Sequence, residues 1–490
     1  MRKVSIFSVP GSRSRRDAIQ IASFVAVVMF AGMTACAPSA LVDVQSPSTV
    51  VDPAVIKTAS GAIKLRLAAL GLVVDAYAGG DGSGNPLGGL IGYSGLLTDE
   101  LMCGDNGGFA CFPDRRILSA SKEPTYGAIQ QARVAVRLAR EALLAYSTPS
   151  ATAPAAWQGE LYALEGYTVL WFAENYCSGI PLTSVPLNGK QTPTRGFTTQ
   201  ELYARAIALF DSAAVLGADS ATYVNFAKVG KGRALLGLGQ FTAADSAVAT
   251  VPTDFVYQIS SSYGALFYFA IEASRNNSGQ LRVQDHEGGN GLVWSTDPRT
   301  GVMAAPSDPS GWLRAVKYNV DESGSIDPTH YNNNSPTRLA DGLEARLIQA
   351  EAAVARGDAT WLTILNDLRN SCVGAAPCAP VPGLTVASLP ALTDPGDDTS
   401  RVNLIMQERA MWLYLTAHRE ADFRRLARVY HRDQGTLWPT GIYHSPSFPD
   451  LDIRNPTIDG TQYGSAVVLG PDASEQANNS LYGGCYDLNP

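Results

Sequence analysis

Residues 227 to 252, AKVGKGRALLGLGQFTAADSAVATVP, place small and large apolar side chains at helical spacing on either side of a glycine. Gly232, Leu235, Gly239, Phe241 and Ala244 stand in the order small residue, large apolar, turn glycine, aromatic, small residue. Small residues let two antiparallel helices approach closely, and the glycine supplies the turn between them. This stretch constrains the chain to a helix–turn–helix unit.

A second stretch follows the same plan. In LEARLIQAEAAVARGDATWLTILNDLRN, residues 343 to 370, Leu343, Leu347, Ala350 and Val354 share one face, and Gly357-Asp358 marks the turn. Both fit the spacing of a tetratricopeptide repeat. Further helices are expected at 57–79 and 124–146. Another is expected in WQGELYALEGYTVLWFAENYC, where Leu161, Leu164, Thr168, Trp171 and Phe172 form a stripe. TTQELYARAIALFDSAAVLG opens near Thr198, Thr199 and Glu201 like a capping box. Residues 402–430 form the last helical block. The fold class is therefore mainly α: a tetratricopeptide-like helical-repeat scaffold, with repeat helices at about 155–251 and 341–430. Gly and Pro make up 75 of the 490 residues, so long irregular insertions are expected between helices. They fall at about 78–123, 252–340 and 431–490, and long insertions in a compact protein usually carry function.

The first 35 residues read as a secretory signal: Arg2, Lys3, Arg13, Arg15 and Arg16, then an apolar run from Ala18 to Ala35. MTAC, ending at Cys36, resembles the lipobox of bacterial lipoproteins, with Met33 where Leu is usual. That resemblance implies cleavage before Cys36, a lipidated N-terminus and a tether over 36–55. Ala37 follows the cysteine where an inner-membrane retention signal has Asp, which favours the outer membrane. One acyl chain binds a membrane only marginally, so stable anchoring takes two or more. Removing residues 1–35 takes away five Lys/Arg and one acid, leaving 32 basic against 44 acidic residues and a formal charge of −12. Such a chain lacks the basic footprint of a nucleic-acid binder.

With Cys36 assigned to lipid, six cysteines remain, an even count that reads as disulfides in an exported chain. Cys103 with Cys111, and Cys372 with Cys378, bracket turn-rich segments; that would leave Cys177 with Cys485. Six cysteines allow many other pairings, and the connectivity stays open. The chain has no C-x-x-C or H-E-x-x-H and only five His, which argues against zinc or another metal centre.

No nucleophile elbow or phosphate loop is present. DHEGGNG places Asp285, His286 and Glu287 side by side, but adjacent residues point apart and the glycines favour a turn. DGSGN at 81–85 and DESGSID at 321–327 alternate oxygen ligands without the downstream Glu of an EF-hand. They default to solvated turns, with calcium as the alternative and no other cofactor expected. QERAMWLYLTAHREADFRRL is dense in charge on an apolar helix. Glu408, Arg409, His418, Arg419, Asp422, Arg424 and Arg425 read as an internal ion-pair network, with Glu420–Arg424 and His418–Asp422 at helical spacing. Trp157, Trp171 and Trp412 are expected in the core. Trp294, Trp312 and Trp438 lie among Gly and Pro and are candidates to stack on a sugar face or other ligand.

Taken in order, several segments resemble the SusD/RagB family of outer-membrane nutrient-binding lipoproteins. They are Cys36, FAENYCSGIPLT, TPTRGFTTQELYARAIALFDSA, AKVGKGRALLGLGQFTAA, EGGNGLVWSTDPR, LEARLIQAEAAVARGD and QERAMWLYLTAHREADFRRL. The last departs from the family at Thr416 and Ala417, where Glu-Gly is common. The resemblance implies a SusD-like α-helical domain over 56–490 that is not enzymatic. It also implies a lid on a SusC-like TonB-dependent transporter at the cell surface, receiving an oligosaccharide or peptide, with outer-membrane lipid holding the acyl chains. Two other functions fit the residues alone: a tetratricopeptide-type scaffold that binds only protein, and a secreted glycoside hydrolase with paired carboxylates.

Overall fold

The computed structural model describes residues 57–79, 89–103, 111–118, 125–187, 190, 192–259, 281–289, 291–304, 313–315, 337–374, 376, 378–380, 389–443 and 460–490. The signal, Cys36, both candidate calcium loops and Trp312 lie outside the described residues.

The described residues belong to one unit, Ile56–Pro490. It opens with α1 (Ala59–Ala78), α2 (Gly89–Leu97), the short strand β1 (Met102–Cys103) and a single turn, α3 (Cys111–Asp114). Next come α4 (Thr125–Tyr146), α5 (Trp157–Asn175), β2 (Ile180–Pro181), β3 (Gly196–Phe197), α6 (Thr199–Leu216), α7 (Ala221–Gly237) and α8 (Phe241–Val248). After β4 (Val256–Ile259), β5 (Leu281–Arg282), β6 (Val302–Ala304), β7 (Leu313–Ala315) and β8 (Thr337–Asp341), helices resume as α9 (Gly342–Ala355) and α10 (Thr360–Ser371). The series ends with α11 (Asp398–Trp412), α12 (Arg419–Arg428) and α13 (Ala473–Asn478). Among the described residues, no helix is long and apolar enough to cross a membrane.

The scaffold is a stack of helix pairs. α1 lies on α4, α5 on α6, α7 on α8 and α9 on α10, while α4–α5, α6–α7 and α8–α9 contacts join one pair to the next. The small residues expected to permit this do so: a Cβ on Gly232 would sit 2.5 Å from Val248 Cγ1 of the paired helix. Gly239 turns the chain at φ 69°. Thr198 and Glu201 close a reciprocal capping box on α6, and the Asp341 side chain caps α9. Strands form only two-stranded antiparallel ladders, β1–β5, β2–β3, β4–β8 and β6–β7. Trp171 and Trp412 lie in the core, 1% exposed, with Tyr77 stacked on Trp171 at 5.0 Å. Trp157 is only partly buried and carries the Arg66 guanidinium over its ring.

Residues 402–430 are not one helix. The chain breaks between α11 and α12, with Leu415 at φ 51° and Ala417 at φ 55°. The break is held by tertiary bonds: Leu415 N–H donates to Glu100 Oε1 at 2.9 Å, and Tyr77 OH to Thr416 O at 2.8 Å. Helical periodicity does not report it, because what bends the chain is contact with Tyr77 and Glu100, far away in sequence.

Two disulfides are described, Cys177–Cys485 and Cys372–Cys378. Cys103 is also disulfide-bonded, while the side chain of Cys111 lies outside the described residues.

Candidate functional site

Residues 111–118 and the C-terminal segment 464–470 run side by side and wall a groove. Gly464 N–H donates to Arg115 O at 2.8 Å and Ala466 N–H to Arg116 O at 3.0 Å. The Arg116 side chain returns the contact, donating from Nε to Ala466 O at 2.8 Å and from Nη1 to Pro439 O at 2.9 Å. Leu469 N–H then bonds Asn175 O at the end of α5, and the Cys177–Cys485 disulfide fixes the tail beside it.

Two adjoining cavities open along this wall. One, of about 340 Å³, has a floor of Phe112, Ile117, Leu118 and Val468, with Asp472 and Gln476 among its polar lining. The other, of about 410 Å³, shares Ile117 and Leu118 and adds Arg116 and Gln434. An apolar floor with a few polar groups suits a small amphipathic ligand, such as a sugar ring or a peptide side chain.

Behind the wall two acids meet. Asp114 and Glu287 are 0% and 1% exposed, and their carboxyls are hydrogen-bonded to each other. Asp114 Oδ2 also accepts from Cys103 N–H and Tyr443 OH, both at 2.7 Å, and Glu287 Oε1 accepts from Tyr463 OH at 3.2 Å. Burial pushes Asp114 up to about 6. Burial, with the Asp114 charge beside it, pushes Glu287 well above the usual carboxylate range. Glycosidase carboxyls flank the scissile bond with about 5–9 Å between them. A pair bonded to itself in the interior leaves no room for a sugar.

The charged helix motif is a buried lattice of ion pairs. Arg409 grips Asp422 through two 2.9 Å bonds, and Arg425 bonds Glu351 at 2.5 and 2.7 Å and Asp422 at 2.7 Å. Arg419 holds Asp99 bidentately at 2.8 Å, and Arg299 and Arg369 converge on Glu408 at 2.7 Å each. Burial opposes ionisation of Asp422, but the Arg409 and Arg425 guanidinium groups override it and hold the carboxyl far below its usual value. The two helical spacings read from the sequence do not produce pairs. His418 Nε2 meets Glu344 Oε1 at 2.9 Å instead of Asp422. Glu420 Oε2 accepts from Trp438 Nε1 at 2.9 Å, and Arg424 donates to Ala173 O at 3.0 Å. Burial raises Glu420 to about 8 and lowers Arg424 to about 10.

Trp294 and Trp438 are not ligand platforms. They are 0% and 1% exposed, and each indole N–H finds an interior acceptor, Asp99 O for Trp294 and Glu420 for Trp438. Beside Gly and Pro these residues plug the core under loops. The DHE triplet splits as adjacent residues should: Asp285 staples the backbone N–H groups of Trp294 and Ser295, His286 is exposed at φ 59°, and Glu287 points inward. Among the described residues, no group of three or more His, Cys, Asp or Glu could hold a metal ion.

Sequence reasoning missed the groove residues Phe112, Arg116, Ile117, Leu118, Val468 and Tyr482. They come from the segments 78–123 and 431–490, so insertion length was the available signal. No periodicity marks them individually.

No family model matches the chain, and no curated protein matches it. Solved structures do. A SusD-like carbohydrate binding protein from Bacteroides vulgatus superposes with a TM-score of 0.59 at 13% identity, covering 87% of this chain and 97% of that one. Surface glycan-binding protein A from Bacteroides uniformis gives 0.59 at 11% identity, over 86% and 98%. A SusD/RagB family protein from Bacteroides thetaiotaomicron gives 0.53 at 14% identity, over 85% and 94%. These matches span nearly the whole of each partner. The chain has the SusD-like fold.

Proposed function

We propose that this chain is a divergent SusD/RagB-type surface lipoprotein that binds a glycan or peptide without chemically altering it. In this reading Cys36 carries the lipid that holds the protein at the outer membrane. The groove between 111–118 and 464–489 receives the ligand, and a SusC-like TonB-dependent transporter takes it onward. The observation that carries the proposal is an apolar, polar-rimmed groove on a fold whose solved neighbours are named for carbohydrate and glycan binding. Charge supports it too: a formal −12 after residue 35 suits a neutral ligand better than an anionic one.

Glycan-array and peptide-array binding by the purified chain tests the proposal directly. Binding to at least one oligosaccharide or peptide is expected, weakened by Phe112→Ala or Tyr482→Ala, with no product released on long incubation. Silence on both arrays sinks the reading, and product formation replaces it with a hydrolase. Mass spectrometry of the chain from its native membrane should find an acylated N-terminus at Cys36. Co-purification with a large β-barrel transporter tests the last step.

A further inference from the structure

We propose that Asp114 and Glu287 hold one proton between them and so form a proton-dependent latch that fastens the 285–289 turn to the inner wall of the groove. Asp114 Oδ1 and Glu287 Oε2 receive no hydrogen bond from any N–H or hydroxyl donor, although both side chains are buried. Two buried carboxyls in hydrogen-bonding contact, each with one oxygen that has no donor, are stable only if a proton lies between them. The proton belongs on Glu287, donated from Oε2 to Asp114 Oδ1. Asp114 is the better seat for the negative charge, because its Oδ2 already takes the Cys103 N–H and the Tyr443 hydroxyl.

Among the described residues neither carboxyl has an ion pair, although the buried Arg282 lies on β5, whose partner strand β1 carries Cys103. Arg115 acts on Asp114 only through its field, Asp99 is clasped by Arg419, and Arg116 is spent on Ala466 O and Pro439 O. Tyr443 and Tyr463 face the pair as donors and remain neutral, pushed up by burial. Losing the proton therefore puts two negative charges in contact inside the protein, with no ion pair among the described residues to offset the second.

The pair lies where loosening it would be felt. Glu287 opens a tight turn whose next residue, Gly288, accepts from Thr440 N–H at 3.3 Å. Tyr463, which donates to Glu287, bonds Gly441 O through its own N–H, and the next residue, Gly464, starts the ladder to Arg115 and Arg116. One proton thus ties residues 114, 287, 443 and 463 behind the groove wall. Because Glu287 keeps its proton above the normal range, the latch is closed near neutrality and opens as pH rises. The inference stands whatever fills the groove.

The test compares the full chain with Glu287→Gln, whose amide donates to Asp114 permanently, and Asp114→Asn, whose amide donates to Glu287. Hydrogen exchange is followed at the Gly464 and Ala466 amides, with each comparison made at one pH so that intrinsic rates cancel. At about pH 7 wild type and Glu287→Gln should exchange alike. At about pH 10 the wild type should exchange about tenfold faster. Infrared absorption near neutrality should lose one protonated carboxyl in either variant, so a failure of one to fold leaves the other informative. Equal exchange at high pH, or a carboxyl band unchanged in both variants, overturns the latch. Loss of ligand binding with the latch signature intact would instead count against the groove as the binding site.

Discussion

Buried acids are handled in opposite ways in two regions of the molecule. Where α9, α11 and α12 meet, Asp422, Glu351 and Glu408 are each held by guanidinium groups. Behind the groove, Asp114, Glu287 and Glu420 are as deeply buried, yet none has an ion pair among the described residues. Depth is the same and chemistry is not. A buried acid stays ionised where arginine surrounds it, whereas Glu287 and Glu420, set among tyrosine, tryptophan and a neighbouring carboxylate, keep a proton. The scaffold should therefore resist a rise in pH, whereas the groove wall should respond to it.

The sharpest way to break this comparison is to remove one acid from the arginine-rich side. Asp422→Ala strands the guanidinium groups of Arg409 and Arg425, and breaking a buried pair from one side costs about 3–5 kcal/mol. Denaturant unfolding should show that loss at neutral pH. Asp422 is depressed when folded, so its contribution is present above its unfolded value and is lost only as acid protonates it. The variant should therefore lose part of the wild type's acid-side decline. A change below about 1 kcal/mol would mean that water, not packing, surrounds the network.

The opposite sign is expected of Glu420. Its folded value is raised from 4.5 to about 8, so the folded chain binds that proton more tightly than the unfolded chain. Its contribution is greatest below 4.5, declines as pH rises and levels off above about 8. The decline should amount to about 3–5 kcal/mol, read as the difference between wild type and Glu420→Gln across that range. Identical slopes for the two proteins would remove Glu420 from the proton-holding group.

The two regions also differ in how legible they are. Helix pairs were readable because packing demands a period of 3.6 and small residues at close approaches, as at Gly232 against Val248. The charged motif was readable as a network because buried charge needs partners, but its partners were not: Glu344, Glu351 and Asp99 lie far away in sequence. The groove was visible only as two long insertions. Trp294 and Trp438 were misread because glycine and proline neighbours suggest exposure, whereas their indole N–H groups had interior acceptors that no local pattern reveals. Asp114 sits in CFPDRR with nothing to mark it, since what sets its chemistry arrives from residues 287 and 443.

A covalent tie stands in on the groove side for the ion pairs of the scaffold. Cys177–Cys485 closes a separation of 308 residues and holds the tail against Ser178, whose O accepts from Tyr486 N–H. Replacing both cysteines, Cys177→Ala with Cys485→Ala, should cost about 2–3 kcal/mol of stability. Protease sensitivity should rise at 482–490 before it rises in α5 or α6. Uniform sensitivity along the chain would show that the tail and the scaffold unfold as one unit.

The smallest effect is expected at the break between α11 and α12, where this chain has Ala417. The residue sits at φ 55°, a left-handed conformation that costs an alanine about 1–2 kcal/mol relative to a right-handed one. Glycine there removes that cost, but it loses about 0.5–1 kcal/mol to the greater freedom of its unfolded chain. It also forfeits a fully buried methyl worth about 0.8 kcal/mol. The three effects nearly cancel, so Ala417→Gly should shift stability by less than about 0.5 kcal/mol in either direction. The Ala417 carbonyl, which accepts from Arg233 Nη2 at 3.3 Å, is kept in the variant, so the ion pairs beside it should be undisturbed. Leu415, also left-handed at φ 51° but with a whole isobutyl group in the core, should behave differently: Leu415→Gly loses far more packing than strain. A gain above about 1 kcal/mol for Ala417→Gly would show that backbone strain outweighs methyl packing at this turn. That would mark the arginine-rich region as carrying a cost in its backbone that its ion pairs offset.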